Sequence, residues 1–274
     1  MSTTLPELGG GASGRAAGVR FMSPLATDLA AVLALTRRDL LRFARDRSQL
    51  AGAIGRPFIW MVLFGSGFRH AAVGGAGDYR QFVYSGAIAM TILFGGMFQG
   101  ITIVWDREFG MLREVLVAPI SRFAIVVGKT CGGALVTLTQ AVVAAAFAPM
   151  VGVNFGIVDG LCLLGAAALL SIGITALGVA VGSRMRTFEG FGVISNFVVL
   201  PLYFLSGGVF PPEGMPSWMR TLVMCNPVTY GVDLMRASIG QAHAFGVLLD
   251  AGMTGGFALG MCLVAFTAFR RASH

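Results

Sequence analysis

The chain has 274 residues, 55% of them hydrophobic and only 12% charged. Soluble domains carry about 25% charged residues, so this composition cannot coat a water-facing surface and excludes most soluble folds. The formal charge of +7 does not point to nucleic acid, because the basic residues stand between apolar runs and do not gather with aromatics on one face.

Residues 1–23 are rich in Gly, Ala and Ser and lack the apolar h-region of a cleavable signal peptide, so they are expected to form a disordered cytoplasmic tail. Over 24–47, apolar positions recur at Leu25, Leu29, Val32, Leu40 and Phe43, with Thr36 presenting its methyl, while Arg37, Arg38, Arg42 and Arg45 occupy the remaining face. This pattern predicts an amphipathic helix lying in the headgroup region with its Arg side chains on lipid phosphates; an ordinary solvated helix is the alternative.

Residues 48–274 read as a six-span transmembrane domain, because crossing about 30 Å of hydrocarbon takes about 20 residues. Apolar segments of that size run Leu50–Phe68, Phe82–Val104, Phe123–Val151, Val158–Gly182, Gly190–Phe210 and Phe245–Phe269. Arg56 and Pro57 interrupt the first, where Arg56 is expected to snorkel to the cytoplasmic interface. Thirty-nine glycines suit membrane helices, and Gly-x-x-x-Gly spacings at Gly96/Gly100, Gly178/Gly182 and Gly252/Gly256/Gly260 offer flat ridges for close helix packing or a dimer contact.

Basic residues set the orientation. Arg15, Arg20, Arg37, Arg38, Arg42, Arg45, Arg47, Arg107, Arg113, Arg122, Lys129, Arg184, Arg186, Arg270 and Arg271 fall on one side of these spans, and only Arg69, Arg80, Arg220 and Arg236 on the other. The excess places both termini in the cytoplasm.

Cys131, Cys162, Cys225 and Cys262 show no C-x-x-C spacing and His70, His243 and His274 are scattered, so neither a metal site nor a disulfide framework is expected. Gly128-Lys129-Thr130 resembles the end of a P-loop, but Phe123 stands where the motif needs Gly, and the tripeptide sits in an apolar helical stretch whose N–H groups are already bonded. The chain is therefore not expected to bind nucleotide itself.

The most informative loop is Asp106-Arg107-Glu108-Phe109-Gly110-Met111-Leu112-Arg113-Glu114-Val115-Leu116-Val117-Ala118-Pro119-Ile120-Ser121-Arg122. Leu112, Val115 and Leu116 share a face and Pro119 closes the pattern, predicting a short amphipathic helix suited either to docking a soluble partner or to serving as a solvated connector. A second stretch, Pro201 to Pro212 followed by Met215-Pro216-Ser217-Trp218-Met219 and Asn226-Pro227-Val228-Thr229-Tyr230, ends one span at Pro211 and Pro212 and sets aromatics at an interface.

Taken together and in this order, the two stretches resemble the ABC-2-type transporter permeases, the group that includes daunorubicin-resistance and nodulation-factor exporter subunits, over essentially the whole chain from residue 25. The resemblance implies an all-α integral membrane subunit of six spans that pairs with a second copy or a related permease and carries two separate ATP-binding subunits. ATP and Mg would be bound by those partners, with no cofactor in this chain. It also implies a bacterial inner-membrane protein contacting lipid and not nucleic acid. The loop would be the coupling helix, with Arg107, Glu108, Gly110, Leu112 and Glu114 facing the ATPase. The second stretch would form a short outer re-entrant segment, with Pro211, Trp218, Asn226, Pro227 and Tyr230 at an outer gate. Asp233 and Arg236, three residues apart, would be able to pair there.

Ionisable residues within the spans read as few beyond Arg56 and Lys129, which favours a lipophilic or amphipathic cargo such as a drug, lipid or glycolipid. Phe94, Phe98, Phe197 and Phe204 are candidates to line its path, or else to face lipid and neighbouring helices. An ion-coupled secondary transporter is the rival reading. It calls for intramembrane acidic residues and two similar halves, and a membrane enzyme calls for a polar cluster at helical spacing; neither pattern is evident.

Overall fold

The computed structural model describes residues 24–67, 79–109, 120–210 and 215–272. The expected tail at 1–23, most of the coupling segment (Gly110, Leu112 and Glu114 included) and Pro211 lie outside the described residues. Ten α-helices and no strand occur among those described: α1 Pro24–Arg45, α2 Arg47–Gly67, α3 Tyr79–Gln99, α4 Ile101–Glu108, α5 Arg122–Ala145, α6 Ile157–Arg184, α7 Phe188–Phe204, α8 Ser217–Cys225, α9 Pro227–Ser238 and α10 Val247–Ala272.

The helix starts follow from local chemistry. The Ser121 hydroxyl accepts from Ala124 N–H (3.1 Å) and that of Thr187 from Gly190 N–H (3.2 Å), while Asn226 Oδ1 accepts from Val228 N–H (3.0 Å) with Pro227 in the first turn. Asp46 stops α1 and starts α2, accepting from the Ser48 hydroxyl (2.6 Å) and from Ser48 and Gln49 N–H (3.0 and 3.2 Å); the hydroxyl first and the N–H groups with it hold its carboxyl below the usual carboxylate range.

Four stretches are long and apolar enough to cross a bilayer: Gln81–Glu108, Arg122–Ala145, Ile157–Arg184 and Val247–Arg271. They match the second, third, fourth and sixth expected spans. The fifth coincides with α7, whose 17 residues reach about 26 Å at 1.5 Å each, slightly short of the hydrocarbon core. The first falls on α2, diluted by Arg47, Ser48, Gln49 and Arg56.

α3 lies at the centre, buried without interruption from Val83 to Leu93, as expected of a helix apolar all round. Its Tyr84, Ile88, Ile92 and Met97 pack with Leu163, Leu170 and Ile174 of α6 and Val232 and Met235 of α9. Around them α5 and α10 flank α6, α2 flanks α3, and α7 sits at one edge.

Two of the three glycine ridges meet each other. A Cβ on Gly100 would collide with the carbonyl of Gly178, and one on Gly182 with the carbonyl of Gly100, so α3, α4 and α6 touch backbone to backbone. The third ridge, Gly252, Gly256 and Gly260 on α10, has open space beside it. α1 uses the same device, laying Val32, Leu35, Thr36 and Asp39 along Gly128 and Gly132 of α5, with Phe43 beyond them against Val136. The packed stripe of α1 thus keeps Val32, Thr36, Leu40 and Phe43 of the expected apolar face and adds Leu35 and Asp39, while Leu25 and Leu29 of that face are exposed.

Gly100→Ala therefore forces backbones apart and is expected to cost about 1–3 kcal/mol, the usual penalty of overpacking. Gly256→Ala meets nothing and gains up to about 1 kcal/mol of helix propensity. Thermal unfolding of the two purified variants, followed by Trp fluorescence, checks the contrast.

Candidate functional site

α4 carries the first residues of the loop singled out in the sequence, and its side chains turn inward more than the motif suggests. Arg107, expected to face a partner, sends its two terminal nitrogens to the carbonyls of Met185 (2.8 Å) and Ser183 (2.7 Å). It thus satisfies carbonyls that α6 leaves open at its C-terminus and places a cation at the negative end of the helix. Glu108 one residue on is exposed and has no ion pair among the described residues. Phe109 is 70% exposed and Trp105 packs edge-on to Phe188 at the start of α7.

Behind this turn sits a charge cluster joining three helices. Lys129 of α5 contacts Asp106 of α4 at 2.6 Å and donates to the Thr102 hydroxyl at 3.3 Å. Arg38 of α1 reaches Asp106 at 3.5 Å and Asp39 at 3.2 Å. Lys129 and Asp106 are nearly buried, so each needs the other to offset the loss of hydration. The lysine of the P-loop look-alike is therefore engaged as a structural cation. At the same end, Asp28 of α1 accepts from Ser121 N–H at 2.9 Å and pins α1 to the start of α5; the Ser121 hydroxyl and then this N–H lower its pKa.

The second motif forms a joint at the opposite end. Asn226, besides starting α9, donates from Nδ2 to the Leu202 carbonyl (2.7 Å) of α7; Thr229 donates to the carbonyl of Val223 (2.7 Å) and Tyr230 to that of Met224 (2.7 Å). Asn226, Pro227 and Tyr230 are thus together, whereas Trp218 lies on the open side of α8, 64% exposed. Arg236 donates to the Gly207 carbonyl (2.8 Å) and covers the Phe82 ring, while Asp233 accepts from Ala244 and Phe245 N–H (2.9 and 2.8 Å). Each of these two side chains fastens a turn.

The four candidate path phenylalanines separate into two pairs. Phe94 and Phe98 border a cleft between α2 and α3, while Phe197 and Phe204 lie with Val193 and Leu200 on the exposed stripe of α7. The described residues also correct the reading that the spans lack acids. Asp250, inside the expected last span, is fully buried, and neither of its oxygens has a hydrogen-bond partner; the Thr254 hydroxyl one turn on is likewise unpartnered. A lone Asp one turn inside an apolar run was visible in the sequence, but its burial was not.

The family profile described as ABC-2 type transporter matches residues 30–239. The chain is similar to the ycf38 transport permease of Cyanophora paradoxa, 29% identical over 74% of this chain and 71% of that one. It is also similar to DrrC, a doxorubicin resistance ABC transporter permease protein of Mycobacterium tuberculosis (26%, covering 76% of each chain), and to nodulation protein J of Rhizobium leguminosarum bv. trifolii (26%, covering 74% and 79%).

Removing one member of the buried pair leaves the other charge stranded, a change that costs about 3–5 kcal/mol in comparable sites. Lys129→Met is expected near the lower bound, because Arg38 stays close to Asp106. The double variant Lys129→Met/Asp106→Leu is expected to recover most of the loss. A double-mutant cycle of thermal unfolding measures this directly.

Proposed function

The chain belongs to the ABC-2 type transporter family, and on that premise we propose that it is the membrane-spanning permease subunit of an exporter driven by a separate ATP-binding subunit. The complex would hold two permeases, two copies or a pair of relatives, above two ATPase subunits that bind ATP and Mg. The permease would sit in a bacterial inner membrane with both termini inside, crossing it six times when α2 and α7 are counted as spans. Its cargo would be lipophilic or amphipathic, since the relatives' names include a doxorubicin resistance permease and a nodulation protein.

The observation that carries this reading is the family match across residues 30–239, supported by the arrangement around α4. Glu108 is exposed, with no ion pair among the described residues, at the tip of a helix that is locked to α6 by Arg107 and to α1 and α5 by Asp106. A push on the segment from Glu108 to Glu114, delivered when the ATPase subunits close on ATP, would move α1, α4 and α5 together and shift the helices lining the path. The free energy for that shift comes from the different affinities of the ATPase for nucleotide in its two states. Asp250 is the observation that favours the rival, an ion-coupled carrier, because a buried acid within a span is a common proton site.

ATP hydrolysis in liposomes separates the two readings. The chain alone is expected to be inactive, the complex with its ATPase subunit active, and Glu108→Ala or Glu114→Ala to uncouple or dissociate the complex. Transport driven by a proton gradient without any ATPase, and lost in Asp250→Asn, would contradict the proposal.

A further inference from the structure

α1 and α2 meet at an elbow around Asp46, and between that elbow and the helices α3, α4 and α5 lies a cleft of about 460 Å³. Two guanidinium groups border it. Arg42 of α1 sits 4.8 Å from the centroid of the Trp105 ring, and Arg56 of α2 sits 5.0 Å from that of Phe94. Stacking on an aromatic face leaves the N–H edge of a guanidinium available for hydrogen bonds.

Neither arginine has a carboxylate within ion-pair distance among the described residues. The two acids that share the cleft are already engaged: Asp39 with Arg38, and Asp46 with the N–H groups and side chains of Ser48 and Gln49. The wall therefore presents two guanidinium groups that no carboxylate pairs directly, with one acid neutralised by Arg38 and the other, Asp46, turned to neutral donors at the elbow. Arg56 is half-buried on a helix whose neighbours Ile54, Phe58, Ile59 and Leu63 are exposed apolar side chains. A cation in such surroundings is costly unless an anion comes to it.

The remaining lining fixes the kind of anion. Phe94, Phe98 and Phe43 give an apolar and aromatic floor, and the amides of Gln49, Gln99 and Gln140 add neutral hydrogen-bonding groups. Planar guanidinium forks match phosphate or carboxylate oxygens, while the aromatic floor matches a hydrocarbon or ring system. We propose that this cleft is a binding site for an anionic amphiphile, with Arg42 and Arg56 holding its charged head and Phe94 and Phe98 its apolar tail. A resident acidic phospholipid and an exported amphiphile share that chemistry. If the occupant is exported, the site narrows the cargo to molecules with an anionic head, a step that rests on the exporter reading; the binding itself does not.

The binding test uses the full chain alone in micelles, titrated with phosphatidylglycerol or phosphatidylcholine and read by native mass spectrometry. The wild type is expected to prefer phosphatidylglycerol by at least about tenfold, the scale of one or two charge-assisted contacts. Arg42→Gln/Arg56→Gln is expected to abolish the preference, and Arg42→Lys/Arg56→Lys to keep part of it with unchanged thermal unfolding. Arg37→Gln, an exposed α1 position outside the cleft, is expected to behave as the wild type. Equal preference in the double Gln variant and the wild type, or no preference in the wild type, overturns the site. A second arm adds the ATPase subunit and ATP in liposomes: a transported amphiphile leaves the cleft and crosses the bilayer during turnover, whereas a resident lipid stays bound. Both results keep the site and assign its occupant, and failure of ATP-driven turnover bears on the exporter reading alone.

Discussion

A side chain has no room at Gly100, Gly178 or Gly182, and the arrangement of one whole end of the bundle depends on that fact. Backbone contact lets α3 and α6 run within a glycine's width of each other, maximising dispersion where lipid offers no hydrophobic drive for association. α3 gives way to α4 at Gly100. α4 then continues beside the C-terminal turns of α6, close enough for Arg107 to bond the Ser183 and Met185 carbonyls. Any residue with a Cβ at these contacts would push α4 away from α6 and carry the following loop with it.

The buried charges act on the same turn from the other side. A Lys–Asp pair out of water adds little net stability against an apolar substitute, yet it is intolerant of losing one partner. Here it joins α4 to α5, and Arg38 extends the link to α1. α1 also seats Leu35 and Thr36 on Gly128 and Gly132. The three helices are thereby held by both polar and close-packed contacts, whereas α7 and α10 present long exposed apolar stripes through Val193 and Phe197 or Leu259 and Leu263. One end of the protein is thus tied together while its flanks are open to lipid or to another subunit.

Much of this was legible in the sequence because it is written in local pattern. Four of the six expected spans reappear as long apolar helices, and the Gly96/Gly100 and Gly178/Gly182 ridges do pack helices. Asn226-Pro227 begins a helix, as an Asn followed by Pro should. What escaped was pairing across distance. Nothing around Lys129 announces Asp106, 23 residues earlier, and nothing around Arg107 announces the end of α6. Of the apolar face expected on α1, Val32, Thr36, Leu40 and Phe43 are packed, while Leu25 and Leu29 are exposed and the glycines of α5 also admit Leu35 and Asp39, which the amphipathic pattern did not mark. Phe94 and Phe197 looked alike as aromatics in apolar runs; only the position of α2 distinguishes the one bordering a cleft from the one facing outward.

In the proposed exporter, α1 and α4 move as one body when the partner ATPase turns over. Spin labels at Leu33, exposed on α1, and Phe109, exposed at the end of α4, in a background with the four cysteines replaced, report their separation by pulsed electron paramagnetic resonance. One narrow distance, the same in nucleotide-free and ATP-trapped complexes, is expected, while a Leu33–Val193 pair spanning α1 and α7 changes. A Leu33–Phe109 distance that broadens or shifts on ATP trapping would contradict it.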